Sequence, residues 1–119
     1  MTPEVKIGQV ANLFSRQMHF VNKGDKEDGH SHSFNHLTLL ASGSLKVESK
    51  DGVKEFVAPH MIYIRKDAQH ELTALEDNTV AYCIHPLRHE NGAIISPDMV
   101  PYTDDQVISM IQRLVNDVD

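Results

Sequence analysis

The sequence predicts an all-β fold, a sandwich or barrel of about eight to ten short strands with one α-helix at the C-terminus. Three observations predict it. Short apolar bursts recur at intervals of roughly 8–12 residues with turn residues between them. Lys50-Asp51-Gly52 separates two such bursts, and Asp-Gly accepts the positive φ of a tight hairpin. After Tyr102 the apolar period changes from that of a strand to that of a helix.

Taken in order, Val5–Val10 and Leu13–Val21 read as strands, with Asn12 as the break between them. Asn22–Gly29 reads as a charged, Gly-flanked loop without a core residue. His36–Leu40 resumes the strand pattern and halts at Ser42-Gly43-Ser44. Leu45–Ser49 and Val53–Val57 flank the hairpin signal. Met61–Ile64, His70–Leu75 and Thr79–Ile84 follow, the last two joined by Glu76-Asp77-Asn78. Pro86–Tyr102, broken by Pro86, Gly92, Pro97 and Pro101, reads as an irregular loop. A loop this long either lines and lids a site or simply wraps the barrel. Thr103 and Gln106 form a capping-box pattern. Val107, Met110, Ile111, Leu114 and Val118 then recur at helical spacing, predicting an amphipathic helix over about 104–117 whose stripe packs on a sheet. No repeat or linker interrupts the chain. Residues 1–119 therefore read as one domain: a barrel over about 5–86, a loop over 86–102, and the helix.

Composition narrows the function classes. Lys and Arg total 11 against 17 Asp and Glu, a formal charge of −6. Nucleic-acid binding needs a basic footprint to displace counterions, and an anionic membrane surface attracts basic segments, so neither partner is expected. With 40% hydrophobic residues in 119, the chain can build a core without staples. The single Cys83 cannot form an internal disulfide, which points to the reducing cytoplasm. Met1–Val10 is too polar for a signal peptide, and no apolar run is long enough to span a bilayer. A strand at Val5–Val10 would leave an exposed sheet edge, which a homodimer would cover.

The histidines carry the chemistry. There are eight, more than the four Phe and three Tyr combined. His30, His32 and His36 share one parity and would face the same way on a single strand. His70 lies on a later strand that two hairpins can return alongside them. Imidazoles converging inside a β-barrel point to a transition metal; the competing reading is a set of surface histidines in a polar loop. Three in register with a fourth on a separate strand favour the metal.

The spacing resembles the first motif of the cupins: Gly, five residues, His-x-His, three or four residues, Glu, six residues, Gly. Here it reads Gly24, five residues, His30-Ser31-His32, three residues, His36, six residues, Gly43. His36 stands where the family usually has Glu. Of the second motif, Pro59, Arg65, Asp67 and Ala74 occupy the positions of Gly, Pro, Gly and Asn, and only His70 is retained. The resemblance covers roughly residues 15–86. It implies a jelly-roll barrel of the double-stranded β-helix type, a homodimer, and a metal held by His30, His32, His36 and His70. Four neutral ligands leave the ion's charge uncompensated and its Lewis acidity high. Fe, Mn, Ni, Cu and Zn all suit imidazole. Loading needs unprotonated rings, so binding should weaken below about pH 6.

Around these ligands, Ala81, Cys83 and His85 form the small and polar set of their strand, able to line a cavity, against Val80, Tyr82 and Ile84, able to fill a core. Cys83 reads as a buried small apolar residue rather than a ligand. His19, His60 and His89 read as surface residues. Arg16, Gln17, Tyr63 and Arg65 are candidate substrate contacts, and His85 and Glu71 candidate bases. The function expected is a metal-dependent oxidoreductase of the dioxygenase type acting on a small organic molecule. The alternatives are a non-catalytic metal or small-molecule binding protein and a sugar isomerase or epimerase. The missing Glu ligand counts against the last.

Overall fold

The computed structural model describes residues 1–30, 35–66, 69–89 and 91–99; the helix expected at 104–117 lies outside them. Among the described residues nine strands follow one another: β1 Glu4–Val10, β2 Leu13–Phe20, β3 Lys26–His30, β4 His36–Ser42, β5 Ser44–Ser49, β6 Gly52–Val57, β7 His60–Ile64, β8 His70–Ala74 and β9 Thr79–Pro86. They form two antiparallel sheets, one ordered β1-β2-β9-β4-β7 and the other β3-β8-β5-β6. The architecture is all-β. Among the described residues the only helical element is a 3-10 turn at Pro97–Met99, and no helix is long and apolar enough to cross a membrane.

Eight of the nine strands are those the apolar pattern predicts. The ninth, β3, replaces the expected charged loop. Its backbone pairs with β8, Lys26 opposite Thr73 and Glu27 opposite Leu72, and ladder hydrogen bonds do not depend on side-chain polarity. Its charges find partners. Glu27 meets Arg16 at 2.8 Å and Lys26 meets Glu71 at 2.9 Å. Just before it, the buried Asp25 accepts from the Asn22 amide at 3.1 Å. Polar composition hid a strand whose neighbours neutralise it.

Alternation decides what fills the space between the sheets. On β2, Met18 and Phe20 are fully buried, so Phe14 and Arg16, at the same parity, also face inward. Leu40 and Thr38 on β4, Ile62 and Ile64 on β7, Leu45 on β5, Leu72 and Ala74 on β8, and Ala81 on β9 complete the inner face. Each large apolar side chain taken fully out of water contributes about 1.5–3 kcal/mol. The expectation for β9 is inverted: Thr79 and Ala81 are core, while Val80, Tyr82 and Ile84 lie half-buried on the outer face. The reason is volume. Ala81 sits against Leu40 and Met18 in register, and those larger residues already fill the layer.

Three connections refine the sequence reading. Gly43 turns β4 into β5 with φ 79°, and a Cβ there would lie 2.9 Å from Thr79 Cα. No other residue fits that approach. In the β5–β6 hairpin Ser49 pairs with Gly52, so Lys50-Asp51 make the turn and the positive φ falls on Gly52 alone. The segment after β9 is less irregular than expected. Arg88 bridges Ile94, and the Ile95 amide donates to the Leu87 carbonyl at 2.9 Å. Asn12 pins this small hairpin to the β1–β2 turn, accepting from the Leu87 amide at 2.7 Å and donating to the Ile95 carbonyl at 2.8 Å.

Candidate functional site

The ends of the strands collect the histidines. His30 ends β3, His36 opens β4, His70 opens β8, and His85 stands next to the end of β9. Antiparallel pairing brings all four of these positions to one end of the barrel. His30 is directly opposite His70 in the β3–β8 ladder. His36 lies on the other sheet, opposite Ile64. The sequence argument that His30, His32 and His36 share one strand face is therefore corrected. His30 and His36 belong to strands of different sheets.

His36 and His70 are 6% and 7% exposed, and their ring centres lie 5.8 Å apart. Two imidazoles on one ion through bonds near 2.0–2.1 Å have ring centres roughly 4.5–6.5 Å apart, so this spacing suits a shared ion. The donor chemistry fits as well: buried neutral nitrogen donors are what Fe, Mn, Ni, Cu and Zn accept. Among the described residues no group of three or more His, Cys, Asp or Glu side chains is gathered closely enough to hold an ion. His32 and the side chain of His30 lie outside the described residues.

His85 joins this end of the barrel. Its ring centre lies 6.5 Å from that of His36 and 5.0 Å from that of Phe14. Nδ1 is 3.0 Å from the Pro86 carbonyl oxygen, which can only accept, so Nδ1 carries the proton of the neutral ring and Nε2 its lone pair. One layer deeper, Thr38 Oγ1 and Cys83 Sγ are 3.6 Å apart. Burial pushes the Cys83 thiol up from its ordinary value, with the Thr38 hydrogen bond and the Arg16 charge opposing the shift. Cys83 is thus the buried small residue expected. Beside it, Arg16 reaches across to Glu27 on the facing sheet at 2.8 Å, their side chains 28% and 15% exposed. Glu27 was invisible to sequence reasoning because it sits in a run of charges. Its opposition to Leu72 in the ladder is what turns it inward.

The remaining candidates separate by parity. Gln17 faces outward and donates from Nε2 to the Tyr82 hydroxyl at 2.7 Å. Glu71 alternates with His70 and pairs with Lys26 on the outer surface, which removes it as a base for the inner site. Tyr63, 61% exposed, stands on the outer side of β7 and reaches the site only at its rim. His19 is half-buried, 3.0 Å from Asn78 Oδ1, and His60 and His89 are exposed, in keeping with surface roles.

A cavity of about 590 Å³ opens beside His70. Its inner walls are Val47, Phe56, Ile62 and Ile64, and Lys54 and Arg65 stand at its mouth. The cavity exists because β6 and β7 are the edge strands of their two sheets and do not pair with each other. The barrel is therefore unsealed along that seam. Sequence reasoning found Arg65 but missed Lys54 and Phe56. The alternation around the Lys50-Asp51 hairpin was the available signal, since it sets Lys54 and Phe56 on the same face as each other.

The sequence matches no family model, and it matches no curated protein. Solved structures do match. A cupin-2 domain protein of Shewanella frigidimarina superposes with a TM-score of 0.60 at 16% identity, over 73% of this chain and 83% of that one. KdgF from Halomonas sp. gives 0.62 at 17% identity, over 73% and 82%. An RmlC-like cupin of Methanocaldococcus jannaschii with a double-stranded β-helix fold gives 0.59 at 6% identity, over 71% and 82%. Sequence identities this low show shared architecture only. The two facing sheets, the histidine-bearing open end and these superpositions agree: the chain has the cupin fold, a double-stranded β-helix.

Proposed function

We propose that this protein is a metal-dependent oxidoreductase of the dioxygenase type, acting on a small organic molecule held inside the barrel. The observation that supports it is the buried pair His36 and His70, ring centres 5.8 Å apart, beside a 590 Å³ cavity. That volume lies within the range of small-molecule sites, roughly 300–1,000 Å³. The proposed ligands are His30, His32, His36 and His70. A divalent transition ion held by them supplies Lewis acidity and, as Fe or Mn, redox chemistry toward O₂. The chain's own residues do the rest. Val47, Phe56, Ile62 and Ile64 keep water from the bound molecule. Phe14 packs on the His85 ring and steadies it, and His85, its ring centre 6.5 Å from that of His36, is the proposed base.

The test has two stages. Protein purified without added ions is analysed for metal, and the His32→Ala, His70→Ala double variant is expected to lose most of it. Unchanged metal content in that variant would put the site elsewhere. Fe, Mn, Ni and Cu forms are then screened in an oxygen electrode with diketones, catechols and thiols. Oxygen uptake with one of these classes is expected. If every metal form leaves oxygen untouched, the dioxygenase reading loses its support and the binding-protein alternative moves ahead.

A further inference from the structure

The mouth of the cavity carries a charge pattern that the metal ligands do not explain. In a chain of net charge −6, the charged residues lining this cavity are, among the described residues, two cations, Lys54 and Arg65, and one carboxylate, Asp51. Three other strand cations are matched: Arg16 with Glu27, Lys26 with Glu71, and Lys46 with Glu48. Among the described residues neither Lys54 nor Arg65 takes part in an ion pair. The two come from opposite sides of the opening. Lys54 stands on β6 opposite Val47, and Arg65 follows Ile64, the partner of His36. A molecule passing between the two sheet edges toward His70 therefore passes between two cations and then meets apolar walls.

We infer that the cavity selects a small organic monocarboxylate, its carboxylate held at the mouth by Lys54 and Arg65 and its apolar body lying against Phe56, Val47, Ile62 and Ile64. Three features carry the class. The guanidinium offers a planar fork that matches a carboxylate. Lys54 and Arg65 flank the opening from two different sheets, and neither is held in an ion pair among the described residues, so both are available to one anion. The apolar walls exclude a bare inorganic anion, which would lose its hydration there without replacement. This inference rests on the proposed function for the location of the reacting end beside His70, but the anion selectivity is read from the Lys54 and Arg65 variants and the metal reading from the histidine variants.

The experiment is isothermal titration of the metal-loaded protein with phenylpyruvate, benzoate and 4-methyl-2-oxopentanoate, each beside its methyl ester, and with inorganic phosphate. At least one acid is expected to bind about tenfold or more tightly than its ester, the effect of one charge-assisted hydrogen bond. The Lys54→Met, Arg65→Met double variant should lose that preference while keeping the parent's metal content. Equal binding of acid and ester, a preference surviving in the double variant, tighter binding of phosphate, or no binding of any acid would each overturn the inference. Loss of the preference together with misfolding is separated by the circular dichroism spectrum and by the single variants, each expected to weaken acid binding about threefold or more. A failure of the metal reading appears instead as unchanged metal in the histidine variants, with acid selectivity intact.

Discussion

Individual residues at this barrel are constrained for different reasons, and substitutions separate them. Gly43 combines φ 79° with an approach that would set a Cβ 2.9 Å from Thr79 Cα. Gly43→Ala should lower the unfolding free energy by about 2–4 kcal/mol, adding a left-handed backbone penalty to overpacking, as read from the urea midpoint. At His36 the proposed constraint is donor chemistry. His36→Glu restores the donor usual at that cupin position and should keep metal, whereas His36→Ala should lose it, both read by elemental analysis. Cys83 is constrained by burial, which raises its thiol above the ordinary 9.0. Above that value the unfolded chain releases a proton that the folded chain retains, so the unfolded state binds fewer protons and stability falls as pH rises. Urea midpoints measured from pH 7 to 10 should drop less steeply in Cys83→Ala than in the parent. Parallel curves would refute the assignment.

Among the elements, β3 shows how a strand can hide in charged sequence. Lys26, Glu27 and Asp28 give no apolar alternation, yet the backbone completes the edge of the four-stranded sheet against β8. That pairing sets His30 opposite His70 and turns Glu27 inward to Arg16. The Arg16–Glu27 pair ties the two sheets together one layer below the histidines. Because both side chains are mostly removed from water, deleting one partner leaves the other's charge poorly solvated. Glu27→Gln and Arg16→Met should each cost about 1–3 kcal/mol, and the double variant less than their sum. Additive losses in the double-mutant cycle would mean that the two charges do not interact. β9 is also defined by its neighbours: the same alternation that predicts a strand leaves open which face is inside. Met18 and Leu40, already filling the layer, admit only Ala81 between them.

For the whole molecule, the two sheets are unequal, five strands facing four, so β1 extends past the smaller sheet. Its inward-parity residues Val5 and Ile7 are 42% and 51% exposed, and its outer hydrogen-bonding edge has no partner strand among the described residues. An exposed edge of this kind invites pairing. We propose that a second copy covers β1. Light scattering should return twice the 13.4 kDa of one chain, and a lysine introduced at Ile7 should shift the mass toward the monomer. A monomeric parent at high concentration would contradict this. The acidic surface leaves the cavity mouth as a local positive exception, so acid binding there should weaken with added salt, as exposed charges are screened over about 8–10 Å.

By itself the sequence determined the all-β class, eight of the nine strands, the close turn at Gly43, and the histidines that gather at one end. Period and spacing are local properties, and a chain of 119 residues records them directly. Only the tertiary structure decided which sheet each strand joins, and with it four things: that His30 and His36 stand on different sheets, that Glu27 points inward, that Glu71 and Gln17 point out, and that an unpaired seam between β6 and β7 opens a cavity under Lys54 and Arg65. The physical reason is that alternation assigns a residue to one of two faces without saying which face is covered. Coverage depends on the partner strand's side chains and on the number of strands in each sheet, and both arise from contacts between residues far apart in the chain.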